Sequence, residues 1–171
     1  MATYEAIATV TVGSGGAADI TFSSIPQTYT DLLLKLSART LAASGSNWSW
    51  VAVRLNGATT NASWRQLFGN GSTASSGNNT NALLAGYATD NAVTANTFSN
   101  SETYIPNYTS SNYKSMSNDA VTENNATSAL NSFFATLWSD TAAVTSITLA
   151  QDTGISFAEH STATLYGIKN S

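Results

Sequence analysis

Short runs in which apolar and polar residues alternate recur along this sequence and restrict the folds open to it. Asp31 to Arg39 is the clearest example in the N-terminal half, because every second residue from Leu32 to Ala38 is apolar. Ala163 to Lys169 has the same period of two near the other end of the chain. Successive side chains of a β-strand point to opposite faces, so this period fits a strand better than a helix. Both runs are predicted to be strands with one buried face.

The C-terminal stretch contains a second β-rich run, around Val144, Ile147 and Leu149. Asp152 to Gly154 follows it and suits a turn, because Asp bonds to nearby backbone and Gly adopts a positive φ at low cost. The stretch therefore predicts a strand pair whose last member, Ala163 to Lys169, lies inside a sheet. We expect that deletion of this last strand prevents folding.

Gly, Asn and Pro separate the remaining apolar runs, which are also predicted to be strands. They are Glu5 to Val12, Ile20 to Phe22, Trp48 to Leu55, Ser63 to Phe68, Leu83 to Tyr87, Thr97 to Ile105, Tyr113 to Val121 and Ser128 to Trp138. The spacing in the last run also permits a helix, but the surrounding Ser, Thr and aromatic residues favour a strand. Tyr113 to Val121 is expected to pair with Thr97 to Ile105.

Two connections are predicted in more detail. Asn56-Gly57 suits a type I′ hairpin, so Ser63 to Phe68 is expected to return beside Trp48 to Leu55. Gly69 to Asn81 has low complexity and almost no large apolar group, which predicts a solvent-facing loop. Short strands separated by such turns predict an all-β fold, namely a single antiparallel β-sandwich, jelly-roll-like, that forms one domain over residues 1–171.

Charge and composition limit the classes of function. The chain has a net charge of −4 and only six Lys and Arg residues, which are scattered, whereas nucleic-acid binding requires clustered basic residues. No apolar run approaches the roughly 20 residues that span a membrane, and the start MATYEAIATV lacks the basic and apolar regions of a signal peptide. The chain has no cysteine. We therefore expect no nucleic-acid or membrane partner, no disulfide, and synthesis in a cytosol without export.

Residues that could carry chemistry are few and scattered. The only histidine, His160, follows Glu159 in a predicted turn, where a solvated residue is expected rather than a catalyst. Asp140, Asp152 and Glu159 could meet around Ca²⁺, but no loop has the density of acidic residues typical of a calcium site. The sequence predicts no catalytic residue, no metal site and no cofactor. A depolymerising enzyme is the weakest of the functions considered.

The tryptophans are the candidate binding residues. In the strand Trp48 to Leu55, an apolar row is expected to face the core: Val51, Val53 and Leu55. The opposite face then carries Trp48, Trp50, Ala52 and Arg54. An apolar patch in water calls for a partner, so Trp48, Trp50, Arg54 and Trp64 are predicted to form a binding surface or subunit interface. The reverse register, with both indoles inside, is the alternative. Trp138 is expected to pack in the core.

Motifs at the two ends of the chain point to a family. The start reads MATYEAIATVTVGSGGAADITFSSIPQTYTDLLLKLSAR, and the end reads WSDTAAVTSITL and then STATLYGIK. Together they resemble small β-rich virion structural proteins of tailed bacteriophages, of the capsid decoration or tail appendage type. The resemblance covers residues 1–39 and 138–169. Its motifs are fold signatures without catalytic residues, and the middle of the chain matches loosely.

The resemblance implies a location in a virion, after synthesis in the host cytoplasm. With the composition, it predicts a non-enzymatic structural protein that decorates or cements a capsid, bound to the major capsid protein or other virion proteins. Phage decoration proteins often form trimers, so a homo-oligomer, most simply a trimer, is expected. The alternative is a receptor- or carbohydrate-binding module of a tail fibre or tail tip, which would bind a host surface glycan through the tryptophans and the segment Gly69 to Asn81.

Overall fold

The structure is a computed structural model that describes residues 1–42, 45–151 and 154–170. The regular elements of these residues are twelve β-strands. In chain order they are β1 (Thr3–Thr11), β2 (Asp19–Phe22), β3 (Asp31–Ala38), β4 (Trp48–Leu55), β5 (Ala62–Gly69), β6 (Ala74–Thr80), β7 (Leu83–Thr89), β8 (Ser99–Ile105), β9 (Lys114–Glu123), β10 (Ala129–Trp138), β11 (Ile147–Gln151) and β12 (Thr162–Lys169). In this described part of the chain, no helix is long and apolar enough to cross a membrane. The predicted all-β class is confirmed.

The strands form two antiparallel sheets that pack as a sandwich. The eight-stranded sheet has the order β1-β12-β3-β8-β9-β10-β5-β6, and the four-stranded sheet has the order β2-β11-β4-β7. Eight of the strands form four nested pairs. β4 and β7 are the innermost pair, followed by β3 with β8, β2 with β11, and β1 with β12 as the outermost pair.

This nesting is the arrangement of a jelly roll. Successive pairs lie in alternate sheets, as they do when one long antiparallel hairpin is rolled up into a sandwich. Contacts of β12 with β3 and of β11 with β4 then join the pairs within each sheet. The predicted jelly-roll sandwich is confirmed.

Two inserted hairpins enlarge the eight-stranded sheet. β5 and β6 are inserted between β4 and β7 in the sequence, and β9 and β10 between β8 and β11. Beyond β8 they add to the sheet in the order β9-β10-β5-β6. We call these four strands the extension. It is built from two segments that meet only in the folded chain, where β10 pairs with β5.

The sandwich core fills the space between the two sheets. The alternate residues of β3 from Leu32 to Ala38 are buried in it, as are Val51, Val53 and Leu55 of β4. Trp138 belongs to the same core and is 2% exposed. The predicted inward faces of β3 and β4 and the predicted core position of Trp138 are confirmed. The strand predicted over Ser128 to Trp138 and the pairing of β8 with β9 are confirmed as well.

The last strand lies inside the eight-stranded sheet, as predicted. β12 pairs with β1 on one side and with β3 on the other, and Ala163 and Leu165 are fully buried. Its predicted pairing with the preceding strand is wrong, because β11 pairs with β2 and β4 in the other sheet. Strands that follow each other in a jelly roll alternate between sheets, so their common turn does not make a hairpin. Asp152 and Thr153 of that predicted turn lie outside the described residues.

The predicted hairpin between β4 and β5 is also wrong. Asn56 and Gly57 do have the positive φ angles of such a turn, 52° and 74°. Both edges of β4 are taken, however, by β11 and β7, so β5 crosses to the eight-stranded sheet and pairs with β10 and β6. The Asn56 side chain links its own turn to the segment before β11, since its Oδ1 accepts hydrogen bonds from the backbone nitrogens of Thr145 and Ser146.

The segment Gly69 to Asn81 is a turn and a strand, where a loop was predicted. β6 pairs with β5 along its whole length. In the turn, Asn70 Oδ1 accepts hydrogen bonds from the backbone nitrogens of Ser72 and Thr73. The segment faces solvent, as predicted, because β6 is the outer edge of the extension and is mostly exposed. Pairing of the backbone is enough to order a strand whose small polar side chains have nothing to bury.

β7 is the edge strand of the four-stranded sheet, and yet all its residues are buried. The strand contains a bulge, because Trp50 and Ala52 of β4 oppose Tyr87 and Leu84, which are three positions apart. Because of the extra residue, Ala85 and Ala88 both belong to the sandwich core although they are three positions apart, and Leu84 and Tyr87 both belong to a second cluster.

The bulge brings the backbone of β7 against the inner face of β8 and β9. Gly86 has a φ of 108°, and a Cβ added there would lie 2.6 Å from the Cβ of Ala120 and 3.2 Å from that of Ser101. Asn118 of β9 donates a hydrogen bond from Nδ2 to the carbonyl oxygen of Ala85 at 3.0 Å. The extension therefore passes over the edge of β7 and protects the backbone groups that an edge strand exposes.

Candidate functional site

Three of the four tryptophans meet in a second hydrophobic cluster, outside the sandwich core. The ring centroid of Trp50 in β4 lies 5.4 Å from that of Trp64 in β5 and 4.6 Å from that of Tyr87 in β7. Phe134 of β10 contacts these three rings at centroid distances of 6.0, 6.0 and 5.8 Å. Trp48 reaches Tyr87 at 6.4 Å. We call Trp48, Trp50, Trp64, Tyr87 and Phe134 the aromatic cluster.

The aromatic cluster forms where the extension passes over β7. Trp48 and Trp50 lie on the face of β4 opposite the sandwich core, as predicted, but both are half-buried. The expectation that they stand in water is therefore wrong, because Trp64 and Phe134 of the extension pack on that face. Trp64 itself is 9% exposed. The register of β4 is predictable from its alternation, whereas the strands that cover its outer face come from elsewhere in the chain.

The polar end of Tyr87 is satisfied inside the cluster. Gln66 and Tyr87 are both buried, and Gln66 Nε2 donates a hydrogen bond of 2.7 Å to the Tyr87 hydroxyl. Burial raises the pKa of Tyr87, and the hydrogen bond from Gln66 opposes that rise. A buried hydroxyl with a partner fixes its ring in one position. The aromatic cluster is thus held in place from β5 and β7 together.

Two open clefts lie against the extension, and one of them is lined by two indoles of the aromatic cluster. Its apolar wall includes Trp50 and Trp64. Its polar wall is formed by Asn79, Thr80 and Asn81, at the end of β6 and just beyond it. All three polar residues are exposed. We call this space, which measures about 430 Å³, the tryptophan cleft.

Arg54 does not join the tryptophans with which it was grouped. It lies two residues beyond Ala52 on β4 and opposes Thr148 of β11. It is half-buried and contributes to neither hydrophobic cluster. The structure therefore brings together Trp48, Trp50 and Trp64, whereas Arg54 lines a smaller neighbouring cleft.

A second candidate surface lies on the outer face of the extension. Leu67 of β5, Phe133 of β10 and Val121 of β9 are 63%, 53% and 38% exposed. Leu67 and Phe133 oppose each other directly across the two strands. We call these three residues the outer patch. Sequence reasoning missed it, although the adjacent pair Phe133-Phe134 was a usable signal, because neighbours in a strand must point to opposite faces.

Opposite charges flank the outer patch. Asp119 of β9 opposes Phe133, and Arg65 of β5 lies two residues from Leu67, so the two charges are on opposite sides of β10. Both side chains are exposed, and neither forms an ion pair with another described residue. Among the other basic residues, Lys35 pairs with Glu102 and Lys169 with Glu5. The patch therefore combines exposed apolar area with one unpaired charge of each sign.

Glu159 and His160, which were considered for metal binding and catalysis, lie next to each other in an exposed turn. His160 is exposed in a turn, has a φ of 71°, and donates its backbone N–H to the carbonyl oxygen of Val12 at 2.9 Å. Over residues 1–42, 45–151 and 154–170, no group of three or more His, Cys, Asp and Glu residues is placed to hold a metal ion. Asp152, one of the three acids considered for Ca²⁺, lies outside that range.

The fold defines the chain as an antiparallel jelly-roll sandwich with one enlarged sheet. Comparison with protein-family models, with curated proteins and with solved structures finds no match to it.

Proposed function

We propose that this chain is a non-enzymatic structural protein of a bacteriophage virion, which decorates or cements the capsid. The observation that carries the proposal is the outer patch on an open sheet face. An assembly protein must present apolar area that becomes buried only when it binds its neighbour. Leu67 and Phe133, each more than half exposed, present such an area on a rigid, fully paired part of the sheet.

The location of the resembling segments supports the phage context. Residues 1–39 and 138–169 are far apart in the sequence but contain β1, β2, β3, β11 and β12. These strands form one continuous half of the sandwich, β1-β12-β3 in one sheet and β2-β11 in the other. If this chain shares a framework with the proteins it resembles, the similar segments are expected to coincide with one structural unit. The middle of the chain, which matches loosely, contributes the extension with both candidate surfaces.

The outer patch suits a second copy of the same chain as one of its partners. If two copies face each other about a two-fold axis in the plane of the sheet, Phe133 of each copy approaches Leu67 of the other. The same operation brings Arg65 over Asp119, because these charges lie diagonally across the patch. Self-complementarity of this kind is what an isologous interface requires. It favours a two-fold pair, whereas the resemblance favours a trimer, and the copy number in solution distinguishes them.

Particle composition tests the virion assignment. Particles of the phage that encodes this chain are purified through a density gradient, and their peptides are measured by mass spectrometry together with electron microscopy of a tagged copy. We expect the chain at many copies per particle, with the tag over the capsid surface. A tag confined to the tail would replace decoration by the tail-appendage function. Absence of the chain from intact particles would refute a virion role altogether.

Charge reversal tests the interface between copies. Arg65→Glu and Asp119→Arg are each expected to weaken self-association in sedimentation experiments, because each places like charges opposite one another. The double variant is expected to restore it. Tyr113→Ser is the control, since Tyr113 is 58% exposed but lies in the connection before β9, away from the outer patch. A monomeric wild type, or a double variant no better than the single ones, contradicts the proposed interface.

A further inference from the structure

We propose that the tryptophan cleft is a binding site for a neutral, hydroxyl-rich ligand, specifically an uncharged oligosaccharide. The site is independent of the outer patch. Trp64 and Asn79 oppose each other on the inner face of β5 and β6, whereas Arg65 and Asn78 oppose each other on the outer face. One hairpin thus presents an assembly surface on one side and the cleft on the other.

The apolar wall of the cleft is rigid before any ligand arrives. Trp50 and Trp64 have centroids 5.4 Å apart and planes inclined by 36°, so together they form a shallow, bent wall. Tyr87 lies 4.6 Å from Trp50, and Phe134 meets both indoles at steep angles. An aromatic surface fixed by such neighbours loses little conformational entropy on binding. The C–H faces of a sugar ring are the natural complement to an indole face.

Gly77 of β6 explains how Trp64 comes to lie beside the cleft. A Cβ added at Gly77 would stand 3.3 Å from one ring carbon of Trp64, so a side chain at this position would push the indole away from β6. The backbone of β6 can therefore approach the ring closely. This contact brings the polar end of β6 to the rim of the aromatic wall.

The polar wall supplies both donors and acceptors. Asn79 Oδ1 accepts a hydrogen bond of 2.7 Å from the backbone nitrogen of Thr80, which orients the amide and leaves its NH₂ group to donate. The Thr80 hydroxyl can donate or accept. Asn81 has a φ of 81°, and its backbone nitrogen donates to the carbonyl oxygen of Ala62 at 2.6 Å, which fixes the end of the wall.

The charge of the lining decides the class of ligand. Tryptophan, asparagine, threonine, alanine and leucine line the cleft, and none of them is charged. An ionic ligand held by these residues would lose its hydration without gaining a counter-charge from them. Arg54 lines an adjoining smaller cleft, which shares Ala52, Asn81 and Ala82 with this one. The volume of about 430 Å³ lies within the range of small-molecule sites, roughly 300–1,000 Å³. A ligand with apolar ring faces and many hydroxyl groups matches an aromatic wall that faces amide and hydroxyl groups.

Titration with defined oligosaccharides tests the site. The probes are uncharged oligosaccharides of glucose, galactose, mannose and N-acetylglucosamine, and sulfated and sialylated counterparts provide the charged set. We expect saturable binding of at least one neutral probe by calorimetry, with a change in tryptophan emission. Asn79→Ala should weaken that binding roughly tenfold, the effect of losing about 1.4 kcal/mol of hydrogen bonding.

Asn78→Ala is the matched control, because Asn78 is an exposed asparagine on the same strand that points to the opposite face. It should leave the affinity unchanged. Trp50→Ala should abolish binding, but it also removes packing from the aromatic cluster. The Asn79 variant is therefore the decisive one, because an exposed side chain can be removed without disturbing the fold. No saturable binding of any neutral probe overturns the proposal. So do equal affinities of the Asn78 and Asn79 variants, or tighter binding of the charged set. None of these results bears on incorporation of the chain into particles.

Discussion

In the sandwich core, aliphatic side chains from both sheets are enclosed on every side, whereas the aromatic cluster is closed on one side and open on the other. Val51, Leu55 and Leu165 are fully buried between the sheets. Trp48 and Trp50 stay half-buried although their rings pack closely on their neighbours. The two regions share β4 and β7, which supply one face to each.

The difference shows how one pair of strands can contribute to stability and to the proposed binding site at once. The inward face of β4 is buried in the sandwich core. Its outward face carries large rings that the extension covers only in part, next to the tryptophan cleft. Aromatic residues suit such a position because they bury a large area and still offer an exposed face. Binding surfaces are thus expected on the extension, and resistance to unfolding in the sandwich.

Deletion of the last strand should have the largest effect. Removal of the residues after Thr162 takes away β12, which lies between β1 and β3 and buries Leu165. We expect loss of cooperative unfolding, measured by circular dichroism during heating. Shortening the turn Asn70 to Ser72 at the tip of the extension is the control and should leave a sharp transition. If the truncated chain melts cooperatively near the midpoint temperature of the intact chain, β12 is not required for the sandwich to fold.

Gly86→Ala should be the most damaging single substitution at the junction of the two regions. The new Cβ would meet the Cβ of Ala120 at 2.6 Å, and φ is 108°. We expect a loss of roughly 2–5 kcal/mol in unfolding free energy, from strain and overpacking together. Gly57→Ala, with a φ of 74° but no atom within 4 Å, isolates the strain and should cost about 1–2 kcal/mol. Equal losses in the two variants, by urea denaturation, would show that β7 does not pack against β9 as described.

Truncation of one tryptophan in each region compares the two clusters directly. Trp138→Ala in the sandwich core should cost about 3–5 kcal/mol of unfolding free energy, as buried tryptophan truncations do. Trp50→Ala should cost less, about 1–3 kcal/mol, because part of its ring is already exposed to water. Denaturant titration of both variants measures the difference. A larger loss for Trp50 would mean that the aromatic cluster is as closed as the sandwich core.

The smallest effect is expected at the rim of the sandwich, where β1 meets β12. The Tyr29 hydroxyl donates a 2.9 Å hydrogen bond to Glu5, and this bond, with Lys169 beside it, lowers the pKa of Glu5. Because the pKa of Glu5 is lower in the folded state, the ionised carboxylate stabilises the fold at pH values above its unfolded pKa, near 4.5. This contribution disappears as the pH falls through the folded pKa.

In thermal melts from pH 7 down to pH 3, the midpoint temperature of the wild type should therefore fall more steeply than that of Glu5→Gln. Glu159→Gln, an exposed acid in the turn before His160, is the control and should follow the wild type. Identical pH dependence of wild type and Glu5→Gln would mean that the contact between Glu5 and Tyr29 does not form in solution.

Strand positions and inward faces were predictable because they depend on neighbours in the sequence. The alternation in Asp31 to Arg39 and in Val51 to Leu55 correctly predicts which residues enter the sandwich core. The low complexity of Gly69 to Asn81 correctly predicts exposure and wrongly predicts a loop, since an edge strand needs only backbone pairing. Trp48, Trp50 and Trp64 come together in the structure and Arg54 does not join them, and the partner rings of Tyr87 and Phe134 were not predictable from spacing.

Pairing partners could not be derived from the same patterns. A period of two specifies which face of a strand is buried, but any strand with a suitable face can lie beside it. Asn56 and Gly57 adopt the angles of a hairpin turn, and β5 still joins the other sheet, because both edges of β4 are occupied by strands distant in the sequence. Long-range packing of the two sheets selects among the pairings that local patterns allow. It also creates the tryptophan cleft and the outer patch, both of which require β5 beside β6 or β10.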